Sequence, residues 1–382
     1  MKKNYFMLAA TTMMFAACAQ TDVVNEIAEP QQQAISFETF ANKATRADDE
    51  TNLETHHNSF SVWASKKLTE SEYVDVYGGK STLGTVTYDA NATTEIKWKA
   101  SPLKFWDKAA LNYYFYAAAP TDAGWTLTST QGTGTNNTVG TDGKFSLTNF
   151  TLTGTNLATA TSDLLRTWKE KSGDKDLMVA TPVTFNDINS YTKADPDPVS
   201  FTFRHILSKL NIKVKGVLTV QNAQIELNAL DVVGLKSTAD YTESPSTCGW
   251  NNLETPYTLS AGGLTDSKLI LNLNDYVYTH EYLVIPQTVS RTAWMNQGTA
   301  PTVPYIYINY NVVTTGTDAS TENFKSYYSL ADIFGDTELV FAEGGQYTLS
   351  VSIAPDAIEF ETTESPWIEK NTQDQTPDIN IE

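Results

Sequence analysis

VSFTFRHILSKLNIKVK, residues Val199–Lys215, is a strongly alternating stretch of the sequence. Its apolar and polar residues follow the period-two pattern of half-buried β-strands. Phe203 belongs to one phase of the alternation, whereas Leu210 and Ile212 belong to the other. The slip between the two phases, near Ser208, predicts a β-bulge. This stretch therefore predicts a chain that folds mainly as β-sheet.

Shorter segments of the same kind lie on both sides of this stretch. They are Phe60–Ala64, Glu95–Lys99, Leu111–Ala119, Lys268–Leu273, Tyr282–Ile285, Tyr305–Val313, Glu338–Phe341 and Gln346–Ile353. Short strands at this spacing favour antiparallel β-sandwiches, and 382 residues are too many for one sandwich. The two prolines of Asp195–Pro198 mark a boundary, because proline interrupts a ladder of hydrogen bonds. We therefore predict two sandwiches in tandem, over 47–197 and 198–354.

The segment Ala34–Ala47, AISFETFANKATRA, predicts one more strand with a cleavable connection. Ile35 and Phe37 alternate with polar residues, and a polar segment then leads to Arg46. Such a strand joins the body through an exposed hinge that a protease can reach. If the strand were cut off, the body would expose a groove of apolar side chains and unpaired backbone, which a second chain could fill.

The N-terminus has the pattern of an export signal. Two lysines precede the mostly apolar Tyr5–Ala17, which is too short to span a bilayer. The small residues before Cys18 resemble the bacterial lipobox, in which the thiol is diacylated. We therefore predict a lipoprotein signal over 1–18 and a propeptide over 19–46. The alternative is ordinary secretion with cleavage after Ala17, and in either case the protein leaves the cytoplasm.

Charge and cysteine content limit the partners and the source of stability. The formal net charge is −19. An acidic chain repels phosphate backbones and anionic headgroups, so we expect no nucleic-acid partner and membrane contact only through a lipid anchor. Apart from Cys18, the one cysteine is Cys248, so an internal disulfide is excluded and stability must come from packing.

The sequence contains no motif for catalysis or for a cofactor. Its four histidines form no HExxH or HxH pattern. His56 and His57 lie in a polar stretch, which favours solvated linker side chains over a metal site, and His205 lies within a strand, which favours a structural role. Asp174 and Asp176 lack the ligand count of a recognised calcium loop, so a solvated turn is favoured over a calcium site. We therefore predict no enzyme, no cofactor and no metal site.

Several motifs, in their order and spacing, resemble the fimbrillin family of Bacteroidales, subunits of the pili called type V. They are the lipobox-like leader, ISFETFANKATRA at Ile35–Ala47, DLMVA at Asp176–Ala180, FTFRHILSKLNIKV at Phe201–Val214, YLVIPQ at Tyr282–Gln287 and GGQYTLSVSI at Gly344–Ile353. The resemblance implies two transthyretin-like β-sandwich domains and export as a lipoprotein. It also implies a place in adhesive fimbriae on the cell surface.

The resemblance further implies how the subunits join. An arginine-specific surface protease removes the N-terminal strand, and the C-terminal segment of a neighbouring subunit occupies the vacated groove. In this sequence Cys18 is then the lipidation site, Arg46–Ala47 the scissile bond and 355–382 the donor arm. The implied partners are other copies of the chain and accessory fimbrial subunits, with ligands on host or bacterial surfaces as further candidates.

The tail itself has the alternation that a donor strand needs. Ile358 and Phe360 alternate with glutamates, and Ile379 and Ile381 alternate again at the end, with a mostly polar stretch between the two pairs. Either pair could be the donor, because an added strand bonds to an open sheet edge through its backbone. The alternative is that the tail folds back as the last strand of its own domain.

The sequence therefore predicts a structural fimbrial subunit that polymerises by protease-triggered strand exchange. One alternative is an accessory subunit at the tip or anchor of the same pilus, but the hinge and donor arm together favour the stalk. Another is a monomeric surface lipoprotein that stacks glycans on Trp63, Trp125 and Trp294, although tryptophan more commonly packs in a core.

Overall fold

The computed structural model describes residues 33–41, 53–78, 83–93, 96–128, 144–154, 174–188, 197–218, 222–244, 247–260, 269–271, 276, 278–290, 304–316, 318–335 and 338–367. In these residues almost all regular structure is β-strand, which confirms the all-β prediction. The exceptions are two 3₁₀ turns, Leu53–Thr55 and Thr121–Ala123, and one turn of helix, α1 (Leu330–Ile333). Among the described residues no helix has the length and apolar character needed to cross a bilayer.

The strands are numbered in chain order. The first ten are β1 (Phe37–Ala41), β2 (Ser59–Thr69), β3 (Glu72–Tyr77), β4 (Gly84–Tyr88), β5 (Trp98–Ser101), β6 (Asn112–Ala119), β7 (Thr126–Thr128), β8 (Lys144–Thr151), β9 (Met178–Ala180) and β10 (Val183–Phe185). The others are β11 (Val199–His205), β12 (Ser208–Gly216), β13 (Ala223–Ser244), β14 (Thr247–Ser260), β15 (Leu269–Ile270), β16 (Tyr278–Val284), β17 (Gln287–Ser290), β18 (Tyr305–Thr314), β19 (Ser320–Ser329), β20 (Glu338–Phe341), β21 (Gly345–Ile353) and β22 (Ile358–Pro366).

The first sheet closes on itself. Paired neighbours run from β6 through β9, β11, β1, β5, β4 and β2 and back to β6, so seven strands form a barrel-like ring. β3 and β10 extend the ring from β2 and β6. The ring is filled by apolar side chains that include Ile35, Phe37, Phe60, Val62, Trp98, Phe115, Phe201 and Phe203. Closure stabilises such a sheet because a ring has no open edge.

The other described strands form three further sheets around a second core, and these three sheets are called the second region. β19, β18, β13, β8 and β7 are neighbours in one sheet, and β14 and β15 also pair with β13. β16, β12, β21 and β22 form the second sheet, and β17 and β20 form the third. Their core includes Leu210, Ile212, Ile225, Leu227, Val232, Ile306, Ile308, Leu349 and Val351. These pairings differ from the predicted antiparallel sandwiches, because the first sheet closes and the pairs β1–β11 and β12–β21 are parallel.

The two sheets that meet at Val199–Lys215 explain its phase slip. β11 lies in the ring, whereas β12 lies in the four-stranded sheet, and only Ile206 and Leu207 separate them. The predicted β-bulge near Ser208 is therefore wrong, since the slip marks a change of sheet. The division between the sheets also does not coincide with the boundary predicted at residue 197. β11 follows that boundary but belongs to the ring, and β7 and β8 precede it but join the sheet of β13.

A third apolar cluster lies where the ring and the second region meet. Trp63 of β2 stacks on Phe145 of β8, with ring centroids 5.0 Å apart and planes at 11°. Ile206 and Leu207, the residues of the crossing, are fully buried in the same cluster. The contact between the two regions is thus a packed core, built from strands of both.

Candidate functional site at the first strand

β1 is bonded very differently on its two sides. Along β11 it pairs in parallel over its whole length, from Phe37 opposite Val199 to Ala41 opposite Phe203. Along β5 only Phe37 has a partner, Trp98. Since each ladder position contributes backbone hydrogen bonds, β1 is held in the ring mainly by β11.

The residues just before β1 make a second attachment to the ring. The amide of Ile35 donates a hydrogen bond to the carbonyl of Lys104, and the amide of Trp106 donates one to the carbonyl of Gln33, both at 2.9 Å. Detaching the segment 33–41 would therefore break bonds to the strand β11 and to the loop that follows β5.

The side chains of this segment fill the interior of the ring. Ile35 is 2% exposed and Phe37 is 1% exposed. The Phe37 ring stacks on Phe201 at a centroid distance of 6.0 Å and makes edge contacts with Phe60 and Phe115 at 6.0 and 6.3 Å. Burying each of these side chains contributes about 1.5–3 kcal/mol. Ile35 and Phe37 share one face, as their alternation in the sequence predicts, and their loss would leave a hole among aromatic rings.

The wall of the ring is open next to β1. A cleft of about 290 Å³ lies between β1 and the side of β4 and β5, and Glu38, Thr39, Tyr88 and Lys97 are among the residues that line it. It lies where β1 and β5 have stopped pairing. The ring is therefore weakest between β1 and β5, and a strand could leave or enter on that side.

The described part of the tail lies within its own sheet. β22 pairs with β21 over its full length, from Ile353 opposite Ile358 to Gly345 opposite Pro366. Ile358 and Phe360 are half-buried against the second core. This is the arrangement of the alternative prediction, in which the tail folds back.

Five of the predicted site residues lie outside the described residues. They are the lipidation site Cys18, the scissile pair Arg46 and Ala47, and the terminal Ile379 and Ile381. Their roles stay predictions.

Two of the three tryptophans predicted as a glycan-stacking surface are buried. Trp63 and Trp125 both lie in the third apolar cluster, and the indole nitrogen of Trp125 donates a hydrogen bond to the carbonyl of Pro120 at 2.9 Å. Their assignment to an exposed face is wrong, because both pack where the ring meets the second region. Trp294 lies outside the described residues.

The sequence reasoning missed a buried cluster of histidines and an aspartate. His56, Asp176 and His205 are 5%, 3% and 1% exposed. Nδ1 of His205 lies 2.7 Å from Oδ2 of Asp176, and the rings of His56 and His205 are 5.2 Å apart. The predictions of a solvated linker at His56 and of a solvated turn at Asp176 are therefore wrong. The end of the first 3₁₀ turn, at His56, and the segment before β9, at Asp176, fold inward against β11. The polar composition of the sequence around each residue does not show this.

The electrostatics of this cluster follow from its burial. Burial lowers the pKa of His57 to about 4, so this ring is neutral at neutral pH. Burial alone would raise the pKa of Asp176, but the adjacent His205 holds it below its usual value. The indole of Trp367, the residue that follows β22, covers the His205 ring at 3.9 Å between centroids, with the planes at 7°. Asp176 is thus a buried carboxylate with an imidazole beside it.

A second polar group connects β11 to the other region. Arg204 donates hydrogen bonds to Glu243 at 2.7 Å and to Glu343 at 2.9 Å. Burial raises the pKa of Glu343, and the guanidinium of Arg204 opposes that shift. This ion-pair group holds the ring strand against β13 and against the turn before β21.

Most of the sequence matches a known family. Residues 45–367 match the model of the fimbrillin-like family, so the chain belongs to that family. The chain is thus related to fimbrial proteins of cell surfaces, a class of structural and adhesive proteins and not of enzymes. A search of curated protein sequences finds no match.

Two solved bacterial protein structures align with most of the chain. A fimbrial protein from Bacteroides vulgatus aligns with a TM-score of 0.50 at 18% identity, covering 87% of this chain and 99% of that one. The tip fimbrial protein Mfa3 from Porphyromonas gingivalis aligns with a TM-score of 0.36 at 11% identity, covering 82% of this chain and 96% of that one. At 18% identity, the likeness to the Bacteroides vulgatus protein concerns the fold alone.

Proposed function

We propose that the chain is a stalk subunit of a cell-surface fimbria that polymerises by strand exchange. It is exported as a lipoprotein through Cys18, and a surface protease cuts between Arg46 and Ala47. β1 then leaves the ring, and the C-terminal segment of another copy takes its place. Membership of the fimbrillin-like family supports the fimbrial part of this proposal.

The observation that carries the proposal is the position of β1 in the ring. β1 is a terminal segment, yet it lies between two other strands and fills the interior with Ile35 and Phe37. Its removal would turn a closed ring into one with a slot, lined by apolar side chains and by the unpaired backbone of β11. An unpaired edge of this kind is a template for another chain.

The terminal residues Ile379 and Ile381 are the better donor candidates. Like Ile35 and Phe37, they are two apolar residues separated by one polar residue, so they would place two side chains on the same face of a strand. Their burial would contribute about 3–6 kcal/mol before the cost of ordering. Ile358 and Phe360, in contrast, already pack in the chain's own sheet. We therefore assign the donor to the end of the tail.

The alternatives from the sequence have less support. An anchor or tip subunit would lack either the cleavable hinge or the donor arm, and the sequence predicts both. A glycan-binding monomer loses two of its three candidate tryptophans, because Trp63 and Trp125 are buried.

The proposal is tested by cleaving the purified full chain with an arginine-specific protease. We expect a ladder of SDS-resistant multimers that collapses on boiling, and N-terminal sequencing should find a new terminus at Ala47. Arg46→Ala should abolish both results. Arg166→Ala, which removes a different arginine, is the matched control and should assemble normally.

The donor is tested on the same cleaved material. Changing Ile379 and Ile381 together to Asp should stop assembly without lowering the melting temperature of the precursor, whereas Gln373→Asp in the same tail should have no effect. Complete cleavage after Arg46 that leaves only monomers would contradict the stalk assignment.

A further inference from the structure

We propose that His56, Asp176 and His205 bind one Zn²⁺ ion. These residues come from three distant parts of the chain: the end of the first 3₁₀ turn, the segment before β9 and the last position of β11. The fold brings one donor atom of each to within 4.8 Å of the others. All three side chains are more than nine-tenths buried, so the group is part of the interior.

The partners of the donor atoms point to a ligand. Contact between Nδ1 of His205 and Oδ2 of Asp176 accounts for one atom of each side chain. It leaves Nε2 of His205 and Oδ1 of Asp176 buried without a hydrogen-bond partner among the described residues, and Nε2 of the adjacent His57 is in the same state. A buried polar atom without a partner is costly and uncommon in folded proteins, and here three occur together. A hydrogen-bonded His–Asp pair alone does not explain these buried atoms without partners. A bound cation would explain them, because it accepts lone pairs from nitrogen and oxygen atoms of this kind.

The donor set selects the kind of cation. Calcium and magnesium bind oxygen ligands, whereas Zn²⁺ is bound by imidazole nitrogen together with carboxylate oxygen. Ligand atoms about 2.0–2.1 Å from a tetrahedral zinc lie about 3.4 Å apart. This spacing falls between the 2.7 Å that separates Nδ1 of His205 from Oδ2 of Asp176 and the 4.8 Å limit of the group. Trp367 covers the His205 ring, and this enclosure fits a structural zinc better than a catalytic one.

The position of the site gives the ion a role in stability. His205 is the last residue of β11, directly before the crossing Ile206–Leu207. An ion held there would tie the first 3₁₀ turn and the start of β9 to the point where the chain changes sheets. This role does not depend on polymerisation or on cleavage at Arg46.

The site is tested by titrating the full chain with ZnCl₂ after stripping with a chelator. We expect one equivalent to bind with micromolar or tighter affinity in calorimetry, and the melting temperature to rise by at least about 3 °C in excess zinc. His56→Asn and Asp176→Asn, which keep the approximate shape of the side chains, should weaken binding at least about tenfold and lose the rise in melting temperature. Circular dichroism of each variant without zinc checks that it is folded.

The matched control is His280→Asn, because His280 lies on β16 of the four-stranded sheet and outside the cluster. It should bind zinc as the wild-type chain does, and Cys248→Ser, which removes an exposed thiol, should do the same. The proposal is overturned if the wild-type chain does not take up one equivalent at micromolar affinity. It is also overturned if His56→Asn and Asp176→Asn bind as tightly as His280→Asn.

Discussion

β1 and β22, the first and last strands of the described chain, are built into the molecule in opposite ways. β1 is a short strand in the wall of a closed ring, parallel to one neighbour, and its Phe37 and the preceding Ile35 are buried in the interior. β22 is a longer strand at the edge of a four-stranded sheet, antiparallel to its one neighbour, with Ile358 and Phe360 only half-buried. Removing β22 would uncover an edge, whereas removing β1 would open a slot between two strands. A replaceable strand is therefore expected at β1.

The strongest test of this difference is to lock β1 in place. Glu38 lies opposite Ser200 in the β1–β11 register, and both side chains are exposed. With Cys248→Ser as background, Glu38→Cys and Ser200→Cys should form a disulfide that keeps β1 in the ring after cleavage at Arg46. Under oxidising conditions we expect complete loss of SDS-resistant multimers, and a reductant should restore them. Assembly that proceeds with the disulfide intact would exclude displacement of β1.

The corresponding lock on β22 is the matched comparison. Ser352 lies opposite Glu359 in the β21–β22 register. A disulfide between Ser352→Cys and Glu359→Cys, in the same Cys248→Ser background, should leave assembly unchanged, because we assign the donor to Ile379 and Ile381. If this lock blocks assembly on a gel as fully as the lock on β1, the donor includes β22.

Burial of side chains from β1 and from β22 should also contribute differently to the free energy of unfolding. Phe37→Ala should lower the free energy of unfolding of the precursor by about 3–5 kcal/mol, because it leaves a cavity among Phe60, Phe115 and Phe201. Phe360→Ala should cost about 1–2 kcal/mol, since its ring is half-buried and contacts Tyr328 edge-on at 4.7 Å. Urea denaturation measures both, and equal losses would show that the two strands are equally embedded.

An effect smaller than that of Phe37→Ala is expected at the ion-pair group of Arg204 on β11. Arg204→Met leaves Glu243 and Glu343 partly buried without their cation, and should cost about 1–3 kcal/mol. The loss should shrink in acid, because burial already raises the pKa of Glu343 and a protonated carboxyl needs no cation. Lys99→Met, which breaks an exposed pair with Asp89, should cost less than Arg204→Met does. Chemical denaturation at neutral and acid pH checks the order of the two variants.

The sequence predicts the strands well because alternation is a local property. Ile35 with Phe37, and Leu210 with Ile212, reveal their buried faces through spacing alone. Which strands pair is not local. The parallel pairing of Phe37 with Val199 joins residues far apart in the chain, and no pattern in either segment specifies the partner. The phase slip near Ser208 is visible in the sequence, but a bulge and a change of sheet give the same pattern.

The same distinction between local and non-local information applies to the site residues. The alternation of Ile35 and Phe37 is readable, whereas the burial of His56 is not, because its neighbours in the sequence are polar. It becomes buried only when β11 brings His205 and Asp176 alongside it. A cluster assembled from three distant segments leaves no spacing motif, which is why a search for metal-ligand patterns does not find it.

The short crossing at Ile206 and Leu207 has a mechanical consequence. From His205 to Ser208 the backbone can span at most about 11 Å, so the ring and the four-stranded sheet have no slack between them. A pull on one end of the molecule would pass directly from β11 into β12, and the buried cluster around the crossing resists bending. Such a body would behave under load as one stiff unit, with any flexibility of a fibre confined to the joints between units.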